Sequence, residues 1–315
     1  MNIGLLTDSL GHLPFTEALD WIAAHEIDTV EIATGGFSPA PHFNLSELLE
    51  SDQARKSFAG EIESRGLRLT ALNCNANMLD PQPERRQQAQ DVLFRSIEIA
   101  PKLGVETVGT MSGCPGDPDG GQWPNWVTFP WQPEYLEILN WQWEEEITPF
   151  WKSAAQHAAD HGVHIAVEMF PGQAVYNTST LQRLREVAGP TVGANFDPSH
   201  LFFQGMDPIR VVRVLGEGFI FNVHAKDTYV DPDEMAVNGG IDTRSLDRIA
   251  DRAWGYRTLG HGHGATWWRQ FVSALRFAGY DGPLTIEHED PLMSPEEGIV
   301  RSVDFLMPVV MRTQG

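Results

Sequence analysis

Short apolar runs alternate with amphipathic segments from one end of this chain to the other. Residues 2–7 (NIGLLT) precede FTEALDWIAAHE. Residues 28–33 (DTVEIA) lead, after a Gly/Pro loop, into LSELLES and the stretch to residue 65. Residues 67–73 (LRLTALN) precede PERRQQAQDVLFRSIEIAPKLG, and 105–110 (VETVGT) precede a long loop and EYLEILNWQWEEEITPFWKSAAQHAADHG. The pattern then recurs at 163–169 (VHIAVEM), 191–196 (TVGANF), 219–224 (FIFNVH) and 283–288 (PLTIEH), each with a helical pattern further on. The runs are short and rich in β-branched residues, as strands covered on both faces are.

Eight strand–helix units predict a parallel sheet with helices outside it. In a chain of this length they predict an α/β fold of the (β/α)8 TIM-barrel type, one domain over residues 1–315. An open doubly wound sheet is the alternative, but no Gly-rich phosphate fingerprint follows the first run. Gly66, Gly104, Gly162 and Gly279 each stand just past a helical pattern, where a left-handed residue ends a helix. Two connections are long, 112–134 after the fourth strand and 225–265 after the seventh. Both leave the C-terminal ends of strands, so they are expected to be binding loops or lids.

Composition narrows the partners. The net charge of −21, from 43 acidic and 22 basic side chains, disfavours nucleic acid. No apolar stretch reaches the ~18–20 residues of a membrane span. The start MNIGLLTDSLGH lacks the features of a signal peptide, and two cysteines make no disulfide framework; a cytoplasmic setting is expected.

Four of the runs end on a metal-ligand type: Glu168, Asp197, His224 and Glu287. In a barrel of parallel strands these ends meet at one mouth. Three carboxylates and an imidazole brought together repel one another unless a cation neutralises them, so a divalent metal is expected there. An oxygen-rich set with one imidazole suits Mn²⁺ best, with Mg²⁺ or Co²⁺ as options, rather than structural zinc. Such a metal can polarise a carbonyl and stabilise an enediolate. Glu168 and Glu287, on strands separated by two others, are the candidate acid and base on either side of a substrate.

The motifs VEMFPG, NFDPSH, NVHAKD and GYDGPLTIEHED, in that order, resemble those of the sugar phosphate isomerase/epimerase superfamily, the xylose isomerase-like TIM barrels. The resemblance implies that Glu168, Asp197, His224 and Glu287 are metal ligands and that, as in the ketose 3-epimerases, the first and last also act as acid and base. It matches His200 to a substrate-contacting histidine; a supporting partner for Asp197 is the alternative. The epimerase branch has an arginine shortly after the metal histidine, whereas this chain reads Ala225-Lys226-Asp227-Thr228-Tyr229-Val230. Lys226 can meet a substrate oxygen or pair with Asp227 or Asp197. The AP endonucleases of the same superfamily use further histidines that Asn73, Met111 and Ser112 do not supply.

In the second long connection, Arg257 and His263 stand among aromatics and glycines suited to sugar recognition. Trp123, Trp126 and Trp131 can wall the site or pack the first loop on itself, and Asp8, His12 and Glu31 face the same mouth. The expected function is a metal-dependent isomerase or epimerase of a sugar or keto-sugar. The alternatives are a lyase or dehydratase that expels a β-leaving group from a keto-sugar, keto-inositol or oxidised glycoside, and a non-catalytic sugar-binding protein. The expected partner is a small carbohydrate, with neither nucleic acid nor membrane; assembly as a homo-oligomer is left open.

Overall fold

The structure, a computed structural model, describes residues 1–313. Eight parallel strands carry it: β1 (Ile3–Leu6), β2 (Thr29–Ala33), β3 (Arg68–Asn73), β4 (Thr107–Met111), β5 (His164–Glu168), β6 (Val192–Phe196), β7 (Ile220–Ala225) and β10 (Leu284–Ile286). They close into a barrel in the order β1-β10-β7-β6-β5-β4-β3-β2. Six lie within the apolar runs read from the sequence, and β4 and β7 run one residue past theirs; most of their residues are buried, because helices cover one face and barrel-filling side chains the other.

The tertiary contacts gather in two sets. One comprises residues 1–31, 60–70 and 196–315. In it Gly4 pairs with Thr29 and Thr285, Leu6 with Glu31, and Thr285 with His224. Helices α1 (Phe15–Ala23), α9 (Pro208–Leu215), α11 (Ala265–Phe277) and α12 (Pro295–Leu306) belong to this set, with the short α8 (Ser199–Phe202). The remainder of the connection after β7 is not a loop throughout. It forms an antiparallel ribbon, β8 (Asp227–Val230) with β9 (Trp254–Arg257), and a short helix α10 (Pro232–Asn238) between them. The alternation in Asp-Thr-Tyr-Val and Trp-Gly-Tyr-Arg fits a ribbon, but each run is only four residues long, and the sequence reading missed it. Stacking of Phe203 on Trp254, with ring centroids 3.8 Å apart, fastens the ribbon to the chain beyond α8.

The other set comprises residues 32–59 and 71–195. Within it Leu72 pairs with Val108, Met111 with Glu168, and Glu168 with Asn195. Its helices are α2 (Leu45–Glu50), α4 (Pro83–Ile99), α5 (Pro133–Trp141), α6 (Thr148–Asp160) and α7 (Thr178–Ala188), with most of α3 (Asp52–Glu63). Between α5 and α6 the chain widens into a π-helical turn over Gln142–Ile147. That turn aims the buried Gln142 amide at the connection after β4. Its Nε2 donates to the carbonyls of Pro115, Gly116 and Asn125 at 3.3, 2.7 and 2.8 Å, which pins a loop without regular structure of its own. Asn77 braces the same loop, exchanging hydrogen bonds with both backbone groups of Cys114.

The helix ends agree with the punctuation of the sequence. Gly66, Gly104, Gly162 and Gly279 have φ of 75°, 72°, 68° and 77°, the left-handed region that a Cβ disfavours. Asn177 caps α7 in a reciprocal box with Thr180, and Asp207 and Ser294 cap α9 and α12. Among the described residues no helix is long and apolar enough to cross a membrane.

Two glycines inside helices have opposite surroundings. A Cβ on Gly60 would meet nothing within 4 Å, whereas a Cβ on Gly298 would collide with the imidazole of His288. Gly60→Ala is expected to stabilise the protein by about 0.5–1 kcal/mol, and Gly298→Ala to destabilise it by about 1–3 kcal/mol, measured by urea unfolding. Burial pushes the Cys74 and Cys114 thiols up to about 12. Neither is then expected to react with a thiol reagent in the native protein at neutral pH, whereas both titrate after unfolding.

Candidate metal and substrate centre

The strand pleat determines which side chains reach the centre. On β7 Asn222 and His224 share one face at an interval of two, Lys226 follows at the same interval just past the strand, and all three are buried polar groups. On β6 the same spacing relates Asn195 to Asp197. Glu168 is the last residue of β5, opposite Asn195, and the Asn195 amide donates to its Oε2 at 2.8 Å. Asp197 follows β6 directly. Its Oδ1 accepts from the Ser199 backbone at 2.8 Å, and its Oδ2 lies 3.1 Å from both His200 Nε2 and Lys226 Nζ. Glu287, the first residue past β10, places Oε2 at 3.2 Å from His224 Nδ1 and 2.6 Å from Lys226 Nζ.

Glu168, Asp197, His224 and Glu287 each present one ligand atom, and those four atoms lie within 4.8 Å of one another. The first three residues are buried and Glu287 is partly so. Ionised carboxylates held this close and away from water require compensating positive charge. The donor set fits a divalent cation: three hard oxygen ligands and one imidazole, in sequence-distant positions held by strand ends.

Lys226 is the cation among these residues in the structure. Its side chain is 3 % exposed. Burial acts to deprotonate it, but Asp197, Glu287 and Glu289 prevail and hold its pKa well above the ordinary lysine value. The ammonium reaches Glu289 at 2.8 Å and lies 4.7 Å from the centre of the Tyr256 ring. Of the two pairings foreseen for Lys226, the one with Asp197 is present; its shortest contacts, to Glu287 and Glu289, were not foreseen.

His200 uses both ring nitrogens within this network: Nε2 faces Asp197, and Nδ1 meets the Tyr256 hydroxyl at 2.9 Å. That arrangement supports Asp197, as the alternative reading of His200 had it. Tyr256 comes from β9 and was not anticipated, because the ribbon that carries it was read as loop. Glu31, on β2, lies with its carboxylate against His224 Nε2 at 3.1 Å and takes the Asn222 amide at 2.7 Å. Asn222, Asn195 and Glu289 were also missed, although their two-residue offset from a ligand was a usable signal. His12 pairs on the surface with Glu296 at 2.9 Å.

The remaining expected substrate contacts are firmly anchored. Arg257 Nε donates to Asp290 at 3.1 Å. His263 Nδ1 lies 2.8 Å from Asp227 Oδ1, and its ring stacks on Phe202 at 3.8 Å. Asp227 is wholly buried and gathers the backbone N–H groups of Gly260, Gly262 and His263 on Oδ2. In the connection after β4, Trp123 and Trp131 are exposed, whereas Trp126 packs edge-on against Tyr176.

Residues 19–309 match the family described as xylose isomerase-like TIM barrel. The uncharacterized protein YfiH of Bacillus subtilis (strain 168) is 45% identical over 313 residues, covering 98% of this chain and 99% of YfiH. Among solved structures, the IOLI protein with a bound zinc atom superposes with a TM-score of 0.66 at 19% identity, covering 98% of each chain. The probable 3-DHS dehydratase AsbF of Bacillus anthracis gives 0.66 at 15% identity, covering 97% of this chain and 98% of its own. D-psicose 3-epimerase, solved in the presence of D-fructose, gives 0.62 at 13% identity, covering 98% of this chain and 99% of its own. At those identities the structural likeness bears on the fold. With the family match over most of its length, the chain belongs to the xylose isomerase-like TIM barrel family.

Proposed function

We propose that this protein is a divalent-metal-dependent isomerase or epimerase of a sugar or keto-sugar. The observation that carries the reading is the convergence of ligand atoms from Glu168, Asp197, His224 and Glu287 within 4.8 Å. These four residues would hold a divalent ion, Mn²⁺ by preference for this donor set, and when bound it would supply Lewis-acid polarisation of a substrate carbonyl.

The chain's own residues divide the proton chemistry. Glu168 and Glu287 act as the acid–base pair. One removes a proton from the carbon next to the carbonyl, and the other returns a proton to the opposite face or to the neighbouring carbon. The Asn195 amide holds one oxygen of Glu168 and leaves the other for its ligand or base role. Asp197, held by the Ser199 N–H and by His200, takes no part in proton transfer. Lys226 donates to a substrate oxygen, its ammonium kept charged by the surrounding carboxylates. Arg257 and His263 complete the substrate contacts proposed from the sequence, while His200, with both ring nitrogens engaged, steadies Asp197 instead. A solved likeness to D-psicose 3-epimerase supports the reading at the level of fold.

Elimination is the second reading, and the exposed Trp123 and Trp131 favour it. Exposed aromatic rings on the connection after β4 suit a substrate longer than a monosaccharide. The Lys226 ammonium is then available to protonate a departing oxygen. The likeness to a probable dehydratase is compatible with this reading.

Metal-loaded protein incubated with keto-sugars in D₂O is expected to place deuterium on a carbon next to the carbonyl, read by NMR. Glu168→Gln and Glu287→Gln should each lower that exchange by about 100-fold or more, in line with the usual weight of a general acid or base. Full exchange in both variants would refute the two-carboxylate mechanism, and a new ultraviolet-absorbing enone would indicate elimination instead. Mn²⁺ at about 100 times its dissociation constant should stabilise the protein by about 2.7 kcal/mol in urea unfolding, an increment that a chelator removes. No increment, and no ion by metal analysis, would refute the metal centre.

A further inference from the structure

We infer that Glu31 is a positioning residue that fixes the tautomer of His224 and thereby makes Nδ1 its metal-facing nitrogen. The inference rests on the metal reading above and adds a residue from β2, far from the ligands in sequence.

The two ring nitrogens of His224 meet different neighbours. Nε2 lies 3.1 Å from Glu31 Oε1, and Nδ1 lies 3.2 Å from Glu287 Oε2. Glu287 belongs to the four-residue ligand group and Glu31 does not. The ring's two edges therefore divide into a ligand edge and a supporting edge. A neutral imidazole carries one proton, and the nitrogen that donates it cannot also bind a metal. Carboxylates face both nitrogens here; with Glu287 engaged by a divalent ion, the Glu31 carboxylate would hold the ring's one proton on Nε2 and leave the Nδ1 lone pair to that ion.

Glu31 is built to hold that position. Its side chain and that of His224 are both fully shielded from solvent. The Asn222 amide, two residues before His224 on the same face of β7, donates to Glu31 Oε2 at 2.7 Å. This leaves Oε1 directed at the imidazole. The nearby Tyr280 hydroxyl does not compete, because it donates to the Pro283 carbonyl at 2.6 Å. Burial, and then the negative charge of Glu31, push the Tyr280 hydroxyl far up, so it remains a protonated donor. A carboxylate wholly inside a barrel is costly unless its hydrogen bonds are made. A barrel-filling apolar side chain would serve packing alone at this position. The carboxylate–histidine pairing is the arrangement by which proteins commonly orient a metal-binding imidazole and increase its basicity.

The test has two independent readouts. In protein labelled with ¹⁵N-histidine and loaded with diamagnetic Zn²⁺, two-bond ¹H–¹⁵N spectra, with His224 assigned by its loss in His224→Gln, should show a proton on Nε2 and none on Nδ1. A protonated Nδ1 would overturn the inference without touching the metal centre. Chelator competition with Mn²⁺ should show Glu31→Gln binding about 10–100-fold more weakly than the wild type, with Glu31→Asp intermediate. A folded Glu31→Gln protein that binds Mn²⁺ as tightly as the wild type would also overturn it. If Glu31→Gln fails to fold, the tautomer in the wild type decides the matter. Absence of Mn²⁺ binding in the wild type refutes the metal reading instead, and the tautomer measurement tells the two failures apart.

Discussion

Burying like charges together is the constraint on which the rest of this structure depends. Asp197, Glu287 and Glu289 all reach one ammonium, Lys226, which is itself almost wholly shielded from water. Neither the Lys226 ammonium nor the Asp197 carboxylate would be tolerable alone in that position, whereas Glu289 is half exposed. The strand ends that supply them are rigid, and the polar groups around them are satisfied one by one: Asp197 by Ser199 and His200, Glu168 by Asn195, Glu31 by Asn222 and His224. The barrel can close around such a set because each member is tied to a neighbour. The same electrostatics suit a divalent ion, which adds two positive charges where oxygen atoms already converge.

The barrel was legible in the sequence because its strands are buried on both faces and therefore lack polar interruption. Each of the eight runs proved to be a strand, and the four terminal glycines proved to be left-handed. That Glu168, Asp197, His224 and Glu287 come together was legible for the converse reason: four ionisable groups ending successive buried runs are harder to explain by separate salt bridges than one would be. The ribbon of β8 and β9 was not legible. Its strands are four residues long, it sits within a connection of more than ~30 residues, and it is stabilised by the Phe203–Trp254 stack, a contact that no local pattern announces. The network around the ligands was half legible. Glu31 was noticed as a mouth-facing acid, but its target could not be read without knowing that only β1 and β10 stand between β2 and β7 in the barrel. Asn195 and Asn222 were hidden in plain alternation, two residues before Asp197 and His224.

The two long connections differ in how they are held. The one after β4 depends on side-chain amides, Gln142 and Asn77, that reach its backbone from outside it. The one after β7 depends on its own backbone ladder and on Asp227. Substrate contacts foreseen in that second connection, Arg257 and His263, each bear an acid partner, Asp290 and Asp227. Their orientation is therefore fixed by the protein itself.

Asp227 is three residues past His224 and collects three backbone N–H groups from the far end of the connection. The ladder from Asp227–Arg257 to Val230–Trp254 then closes the base of everything between residues 231 and 253. That intervening segment is in effect a cassette clamped at its neck. Its length and sequence can drift over evolutionary time at little thermodynamic penalty, about 0.6 kcal/mol for each doubling of a flexible loop. The clamp shields the register of β7, and with it the bearing of His224, from whatever the cassette becomes. A barrel equipped in this way can exchange a whole segment while the residues gathered at its strand ends stay where they are.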